Sequence, residues 1–477
     1  MRLSELVAGL NCRIYNFKDI KIESLEFDSR RVKPGTLFIA LKGNKYDGHK
    51  FIKQVEELGA VALATQEKVD SPLPQIVFDN TRKYMGKIAK NFYGNVSTLK
   101  IIGVTGTNGK TTTTFLIHSI LKKAGYEPGL IGTIFYIGKN KIKADRTTPE
   151  SLEIFKLIDN FQKDGAKSVV MEVSSHALAL KRVEELRFYI AIFTNLSQDH
   201  LDFHKTIEDY KNTKLHLFEL LEPNGYAIYN QDDPVAEDIR KLNIKNNLNY
   251  GLNKNSTIRG EIANDTLSGL KMNVFYRDKK YEINSKLIGA FNAYNILASF
   301  AAGVAFGFDF DIIKNGIESL EGVRGRMECV YDNIFVDFAH TPVAIGNLLK
   351  SLRRYTSGRL IIIFGCGGDR DQKKRPEMGR IASENADFVI LTSDNPRTED
   401  PENIIKDIVS GIKGDNFIII AEREEAIAYG VKIKNPDDIL VIAGKGHEEY
   451  QILKDKVIPF DDVRVVKNIL GLKDYVL

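Results

Sequence analysis

The chain has 477 residues, 43% of them hydrophobic and 27% charged, with a net charge of +4. That length exceeds what one core supports and points to about three domains, while the small net charge and the lack of a dense Lys/Arg block interleaved with aromatics exclude a nucleic-acid partner. The three cysteines, Cys12, Cys329 and Cys366, are too few and too far apart for a disulfide framework or a Cys-rich metal site, and they fit a reducing compartment.

Met1-Arg2-Leu3-Ser4-Glu5 carries an acid where a signal peptide needs its apolar stretch. The most apolar region, residues 296–308, is shorter than the roughly 20 residues that span a bilayer. A cytoplasmic protein without a membrane partner is expected. Up to residue 97, short apolar runs at 36–40 and 60–64 alternate with helical stretches, which predicts a small α/β domain over 1–97. Residues 99–104 read as a buried strand. A Gly-rich turn follows, then a helix from Lys110 that stops at Gly125, a residue favoured just past a helix end. Further strands are predicted at 168–171 and 189–193, and the alternating, turn-rich stretch 256–285 reads as a β insertion or sheet edge. From Arg326 a third pattern begins, with strands at 360–364, 387–391, 416–420 and 438–442 separated by helical spans. The predicted fold class is α/β in three domains. A central P-loop domain with a parallel sheet covers 98–324, flanked by the N-terminal α/β domain and by a doubly wound, Rossmann-like domain over 325–477. Ligands should sit at the carboxyl ends of the last domain's strands. Those ends carry Gly365-Cys366-Gly367-Gly368-Asp369-Arg370, Asp394-Asn395-Pro396-Arg397 and Gly444-Lys445-Gly446-His447-Glu448.

The strongest local signal is Gly106-Thr107-Asn108-Gly109-Lys110-Thr111-Thr112. Its glycines let backbone N–H groups turn towards phosphate oxygens, Lys110 neutralises β/γ charge, and the Thr111 hydroxyl can hold Mg²⁺. The spacing departs from the strict Walker pattern, because Val104 stands at the first glycine position. Glu172 ends a predicted strand, where a metal-coordinating acid would face the phosphates. Taken alone it reads as a turn residue, His200 in Asp199-His200 as structural, Lys214 as a solvated lysine on a helix, and Asn292 and Asn295 as helix-surface or capping residues.

Five segments in order, Gly106–Thr112, Met171-Glu172-Val173-Ser174-Ser175-His176-Ala177-Leu178, Thr194-Asn195-Leu196-Ser197 with Asp199-His200-Leu201-Asp202, Gly325-Arg326-Met327-Glu328 and Ala339-His340-Thr341-Pro342, together resemble the Mur ligase family across nearly the whole chain. Asp28-Ser29-Arg30, Thr147-Thr148-Pro149, Gly365 to Asp371 and Gly444 to Glu448 resemble its members that add the third residue of the peptide. The resemblance implies a ligase that uses ATP and Mg²⁺ to join meso-diaminopimelate to UDP-MurNAc-L-Ala-D-Glu through an acyl phosphate, and a monomer is expected. It makes Lys110, Glu172, His200 and Lys214 catalytic, with Thr111, Glu172, His200 and a carbamylated Lys214 (N6-carboxylysine) as magnesium ligands. The P-loop residues Gly106, Thr107, Asn108, Gly109, Lys110, Thr111 and Thr112, with Asn292, Asn295, Arg326 and Asp337, fall at ATP positions. Ser29, Thr147, Thr148, Ser174 and Arg182 fall at contacts to the UDP-sugar peptide, which makes the first domain a UDP-binding one.

For the amino acid, the resemblance points to Arg370, Asp394, Asn395, Pro396, Arg397, Gly444 and Glu448. The chemistry agrees, since the two arginines can clamp the distal carboxylate of meso-diaminopimelate while Glu448 receives its ammonium. Arg146 and Leu180 replace polar amide contacts of a related type, Phe338 replaces a common tyrosine, and Arg324 a common proline. The alternatives are the same ligase using L-lysine, the related folylpolyglutamate synthetases, and a P-loop binding protein without ligase chemistry. A GTPase would need a guanine-reading Asn-Lys-x-Asp after the P-loop, and Asn44-Lys45-Tyr46-Asp47 precedes it.

Overall fold

The computed structural model describes residues 1–43, 47–94, 98–200 and 203–472. Asn44-Lys45-Tyr46 and Leu201-Asp202, quoted above, lie outside the described residues. The N-terminal sheet has the strand order Arg13–Tyr15, Gln75–Val77, Ala60–Thr65, Thr36–Ile39, Ser24–Glu26. Only Arg13–Tyr15 pairs antiparallel. The two apolar runs in the sequence are its inner strands, almost wholly buried, as strands covered on both faces must be.

In the second sheet the strand Lys100–Thr105 lies between Ser168–Glu172 and Phe188–Phe193, parallel to both, with Glu172 opposite Val104 and Phe193 opposite Thr105. Beyond Phe188–Phe193 come Leu221–Asn230, then Asn246–Gly251. Beyond Ser168–Glu172 come Gly129–Ile131, Phe135–Ile137 and Lys141–Lys143. Lys100–Thr105 therefore has later strands on both sides, the point of a parallel sheet where a crevice opens at the carboxyl ends. The helix Lys110–Lys123 leaves from there, and Gly125, just past its end, takes φ +75°. The stretch read as a β insertion holds Ile258–Thr266, Gly269–Tyr276 and Lys279–Ser285.

The third sheet runs Glu328–Tyr331, Ile334–Asp337, Ile439–Ala443, Leu360–Phe364, Phe388–Leu391, Phe417–Ile419. All its pairs but the first are parallel. A hairpin, Tyr450–Leu453 with Lys456–Pro459, follows. Predicted strand ends differ by a residue or two, as frayed ends do. By compactness the chain divides into two units, one of residues 1–260, 275–278 and 294–317 and one of 261–274, 279–293 and 318–477. The N-terminal sheet and the second sheet from Lys141–Lys143 to Asn246–Gly251 lie in the first unit. No helix of the described residues is long and apolar enough to cross a membrane.

Two readings from local sequence are corrected by the fold. Asn292 and Asn295, which in isolation look like helix-surface or capping residues, are buried in the helix Phe291–Phe306, which is apolar nearly all round. Lys214 is not solvated but 1% exposed.

Candidate active site

The P-loop turns in a space with no room for side chains. Gly106 has φ +142° and a Cβ there would stand 1.9 Å from Thr194 Oγ1; Gly109 has φ +84° and a Cβ would meet Asn295 Oδ1 at 2.4 Å. The segment after Phe188–Phe193 braces the loop from the side. Thr107 N donates to Asn195 O at 2.8 Å, Asn108 N to Asn195 Oδ1 at 3.0 Å, and both Thr194 Oγ1 and Asn195 Nδ2 donate to Asn108 O. Ser197 N donates to Thr107 Oγ1. Thr194-Asn195-Leu196-Ser197 is thus the scaffold that holds the loop open. Asn295 Oδ1 accepts from Thr113 on the P-loop helix at 3.3 Å. Asn292 belongs to the other unit and donates to Ile288 O.

Glu172 is fully buried at its strand end, which overturns its reading as a turn residue. Its Oε2 accepts from Thr111 Oγ1 and Thr133 Oγ1, both at 3.0 Å, and its Oε1 from Thr133 N at 2.7 Å. The hydroxyl that follows the P-loop lysine therefore meets a carboxylate, a set of hard oxygen donors of the kind Mg²⁺ takes. Thr133 is a partner that sequence reasoning missed, since no motif marks it.

Lys110 Nζ donates to Gly106 O at 2.9 Å and to Thr107 O at 2.8 Å. Lys214, on the helix Ile207–Glu219, donates to the same Gly106 O at 2.8 Å and has its Nζ 4.3 Å from the centre of the Tyr210 ring. Burial, with Lys110 close by, drives the Lys214 ammonium well below the usual lysine range. Its burial had a sequence signal: Tyr210, Lys214, Leu217 and Phe218 fall on one helical stripe. His200 stands in the adjoining loop, half exposed, with its ring 4.9 Å from His176 and 6.2 Å from the same Tyr210. Among the described residues no three His, Cys, Asp or Glu side chains converge as a metal cluster. The oxygen set at Thr111 and Glu172 fits one magnesium ion.

On the other side of Glu172, Thr148 Oγ1 donates to Glu172 O at 2.8 Å, and Ser174 N donates to Thr148 Oγ1 at 3.1 Å. Thr147 Oγ1 accepts from Thr133. Arg182 donates to Thr148 O and to Glu150, both at 2.9 Å. These four residues form one continuous group with Glu172. Ser29 opens a short turn (Ser29–Arg31) capped by Asp28.

In the second unit Asp337 accepts from Met327 N and Ala339 N, and burial raises its carboxyl above the usual range. The Arg326 guanidinium lies 4.8 Å from the centre of the Phe338 ring. Arg324, in place of the usual proline, pairs with Glu449 and Asp461.

The Asp394–Arg397 loop packs on the Gly365–Arg370 loop so closely that a Cβ on Gly365 would stand 2.1 Å from Thr392 O and one on Gly368 1.9 Å from Pro396 O. A Cβ on Gly444 would stand 2.7 Å from Asp394 Oδ2. Arg397, at φ +54°, donates to Gly368 O at 2.7 Å, and Arg370 is exposed. Glu448 Oε2 accepts from Asn395 Nδ2 at 2.8 Å and from Lys445 Nζ at 3.2 Å; Lys445, fully buried and also bonded to Asn395 Oδ1, is a second residue that sequence reasoning passed over. One oxygen of Glu448 is thus already engaged by an ammonium of the chain itself.

Comparison with known proteins shows the family. Three family descriptions match: "Mur ligase family, catalytic domain" over residues 21–93, "Mur ligase middle domain" over 104–303 and "Mur ligase, glutamate ligase domain" over 325–446. The chain is 46% identical to the UDP-N-acetylmuramoyl-L-alanyl-D-glutamate--2,6-diaminopimelate ligase of Clostridium tetani, covering 98% of this chain and 99% of that one. It is 43% identical to the protein of that name from Aquifex aeolicus over 94% of each. A solved structure of a ligase with the same name is similar at a TM-score of 0.69 and 33% identity, covering 99% of both chains. The fold is also similar to the MurF ligase of Thermotoga maritima solved with ADP, at a TM-score of 0.68 and 20% identity over 95% of this chain and 98% of that one.

Proposed function

This chain belongs to the Mur ligase family, and we propose that it joins meso-diaminopimelate to UDP-MurNAc-L-Ala-D-Glu at the expense of ATP, in the assembly of peptidoglycan precursors. The observation that carries the reading is the Thr111 hydroxyl on the Glu172 carboxylate at the head of a P-loop, with Lys110 and Lys214 converging on the Gly106 carbonyl. The names of full-length relatives support diaminopimelate over the L-lysine alternative, and they set aside a P-loop protein without ligase chemistry as well as a folylpolyglutamate synthetase. The three matched segments support divisions near residues 98 and 325.

ATP lies with its phosphates in the 106–112 loop. Lys110 leaves the loop carbonyls to meet the β/γ-phosphates, so that two hydrogen bonds to neutral carbonyls are exchanged for ion-paired ones to phosphate oxygens. Thr111 and Glu172, with His200 and a carbamylated Lys214, would hold magnesium, which supplies charge neutralisation on the transferring phosphoryl group. A lysine that is desolvated and uncharged is the form that can add carbon dioxide, so the Lys214 pocket favours that modification. The D-glutamyl side-chain carboxylate attacks the γ-phosphorus and ADP leaves. The amine of meso-diaminopimelate then attacks the acyl carbon, loses a proton and expels phosphate. Arg182, Thr147, Thr148, Ser174 and Ser29 hold the UDP-muramoyl peptide. Asn292, Asn295, Arg326 and Asp337 hold the rest of the nucleotide.

Arg370 and Arg397 receive the distal carboxylate of the amino acid. Asp394, Asn395, Pro396 and Gly444 shape its pocket, and Glu448 offers its second oxygen to the distal ammonium. The enzyme acts in the cytoplasm, a setting supported by its free cysteines and its use of ATP, and a monomer is expected.

The test is phosphate release from ATP by purified protein with magnesium and UDP-MurNAc-L-Ala-D-Glu, with meso-diaminopimelate, with L-lysine or with neither. Release with meso-diaminopimelate alone is expected. Release with lysine alone would overturn the assignment of the Arg397 loop, and none with either would overturn the ligase.

A further inference from the structure

Glu150 precedes the helix Ser151–Lys163 and its side chain is only 3% exposed. Its Oε1 takes three guanidinium groups, from Arg82 at 2.6 Å, Arg146 at 2.9 Å and Arg182 at 2.9 Å. They arrive from three segments of the chain. Arg82 lies in the first turn of the helix Thr81–Tyr93, which packs on Ser151–Lys163 where Gly86 faces Ser151. Arg146 precedes Thr147-Thr148, and Arg182 follows the helix Ser175–Ala179. Close by, Glu153 accepts the Glu150 N–H at 3.3 Å and has Arg31 at 3.8 Å.

Four arginines thus face two glutamates. Three like charges gathered on one oxygen repel one another, and a surplus of positive charge beside a buried carboxylate is unfavourable unless an anion completes it. Arg182 also keeps a buried Nε with no hydrogen-bond partner among the described residues. A donor left in that state is costly in a resting protein and useful in one that binds an oxyanion there.

We propose that Arg82 and Arg146 join Arg182 in an anion receptor for the UDP-muramoyl peptide, and that Glu150 is the positioning residue that gathers the three. The proposal rests on the substrate reading given above. It adds two contacts, one from the N-terminal sheet's own helix, and a carboxylate that holds guanidinium planes in place without touching substrate. The anion is either the diphosphate or a carboxylate of the peptide, since both offer paired oxygens to a guanidinium fork.

Arg146 is 51% exposed, so Arg146→Gln leaves the packing intact, and Arg82→Gln is the second variant. Calorimetry with UDP-MurNAc-L-Ala-D-Glu is expected to give a Kd about ten-fold weaker for each, the size of one lost charge-assisted contact, with ATP affinity unchanged. UDP-N-acetylglucosamine, which has the diphosphate but no carboxylate, separates the two sources. A loss shared with it assigns the receptor to the diphosphate, and a loss confined to the peptide-bearing substrate assigns it to a carboxylate. Glu150→Gln should raise KM for the UDP-muramoyl peptide and leave KM for ATP alone; if it does not fold, the two arginine variants still decide. Unchanged Kd in both arginine variants overturns the proposal while leaving the ligase standing. Failure of the unaltered protein to bind the UDP-muramoyl peptide would instead remove the substrate reading beneath it.

Discussion

Replacing Glu172 by glutamine removes one charge and no volume from the head of the P-loop. The carboxylate accepts three hydrogen bonds, from Thr111 Oγ1, Thr133 Oγ1 and Thr133 N. Glutamine keeps an oxygen for the Thr133 N–H and presents an NH₂ to two hydroxyls, which can rotate to accept. Losing charge assistance at three bonds costs about 2–3 kcal/mol, and no longer burying a charge offsets most of it, so stability should fall by about 1 kcal/mol or less. Alanine instead strands a buried N–H and two hydroxyls, a loss of about 4 kcal/mol. The chemical step responds differently. An anionic magnesium ligand contributes several kcal/mol to phosphoryl transfer, and about 3–4 kcal/mol corresponds to about 10²–10³-fold in rate. Urea unfolding reads the first quantity, and phosphate release titrated against magnesium reads the second. A Glu172→Gln enzyme with a near-normal rate at limiting magnesium would refute the reasoning and leave Glu172 as a structural acceptor only.

Lys110→Ala should abolish phosphate release, and near-normal turnover would remove the ATP site from the 106–112 loop. Lys214→Ala should lose activity and regain part of it with small carboxylic acids, which can enter the space left by a carbamate; steady-state rates with and without formate or acetate check this. Arg397→Ala should raise KM for meso-diaminopimelate about ten-fold or more while leaving KM for ATP alone. Asp462→Ala strands Arg423, a pair with both side chains fully buried and bonds of 2.7 Å at each oxygen, and should lower stability by about 3–5 kcal/mol in urea unfolding.

Local chemistry was legible wherever it is written in consecutive residues. The 106–112 loop, the helix beginning at Lys110 and the strand Leu360–Phe364 all follow from Gly placement and apolar runs. What pattern reading left out are meetings between distant segments. Arg82 and Glu150 are far apart in the chain and neither sits in a motif that names the other. Thr133 reaches Glu172 from just past the end of the neighbouring strand Gly129–Ile131, and Lys445 disappears into the fold because Asn395 and Glu448 close around it. Lys214 lies between these cases. Its stripe with Tyr210 and Leu217 was present in the sequence, but a charged residue on an apolar stripe is outvoted by the general rule that lysines face water.

The packing of the Gly365–Arg370 loop on the Asp394–Arg397 loop bears on redesign. A methyl group at Gly365 or Gly368 would overlap a backbone oxygen, which cannot swing aside as a side chain can. An engineer wishing to change the amino acid this enzyme adds is therefore left with few free positions, chiefly the exposed Arg370 and the side chain of Arg397, which lies back on the Gly368 carbonyl. The backbone there behaves as a fixed mould, and only the fittings mounted on it are exchangeable.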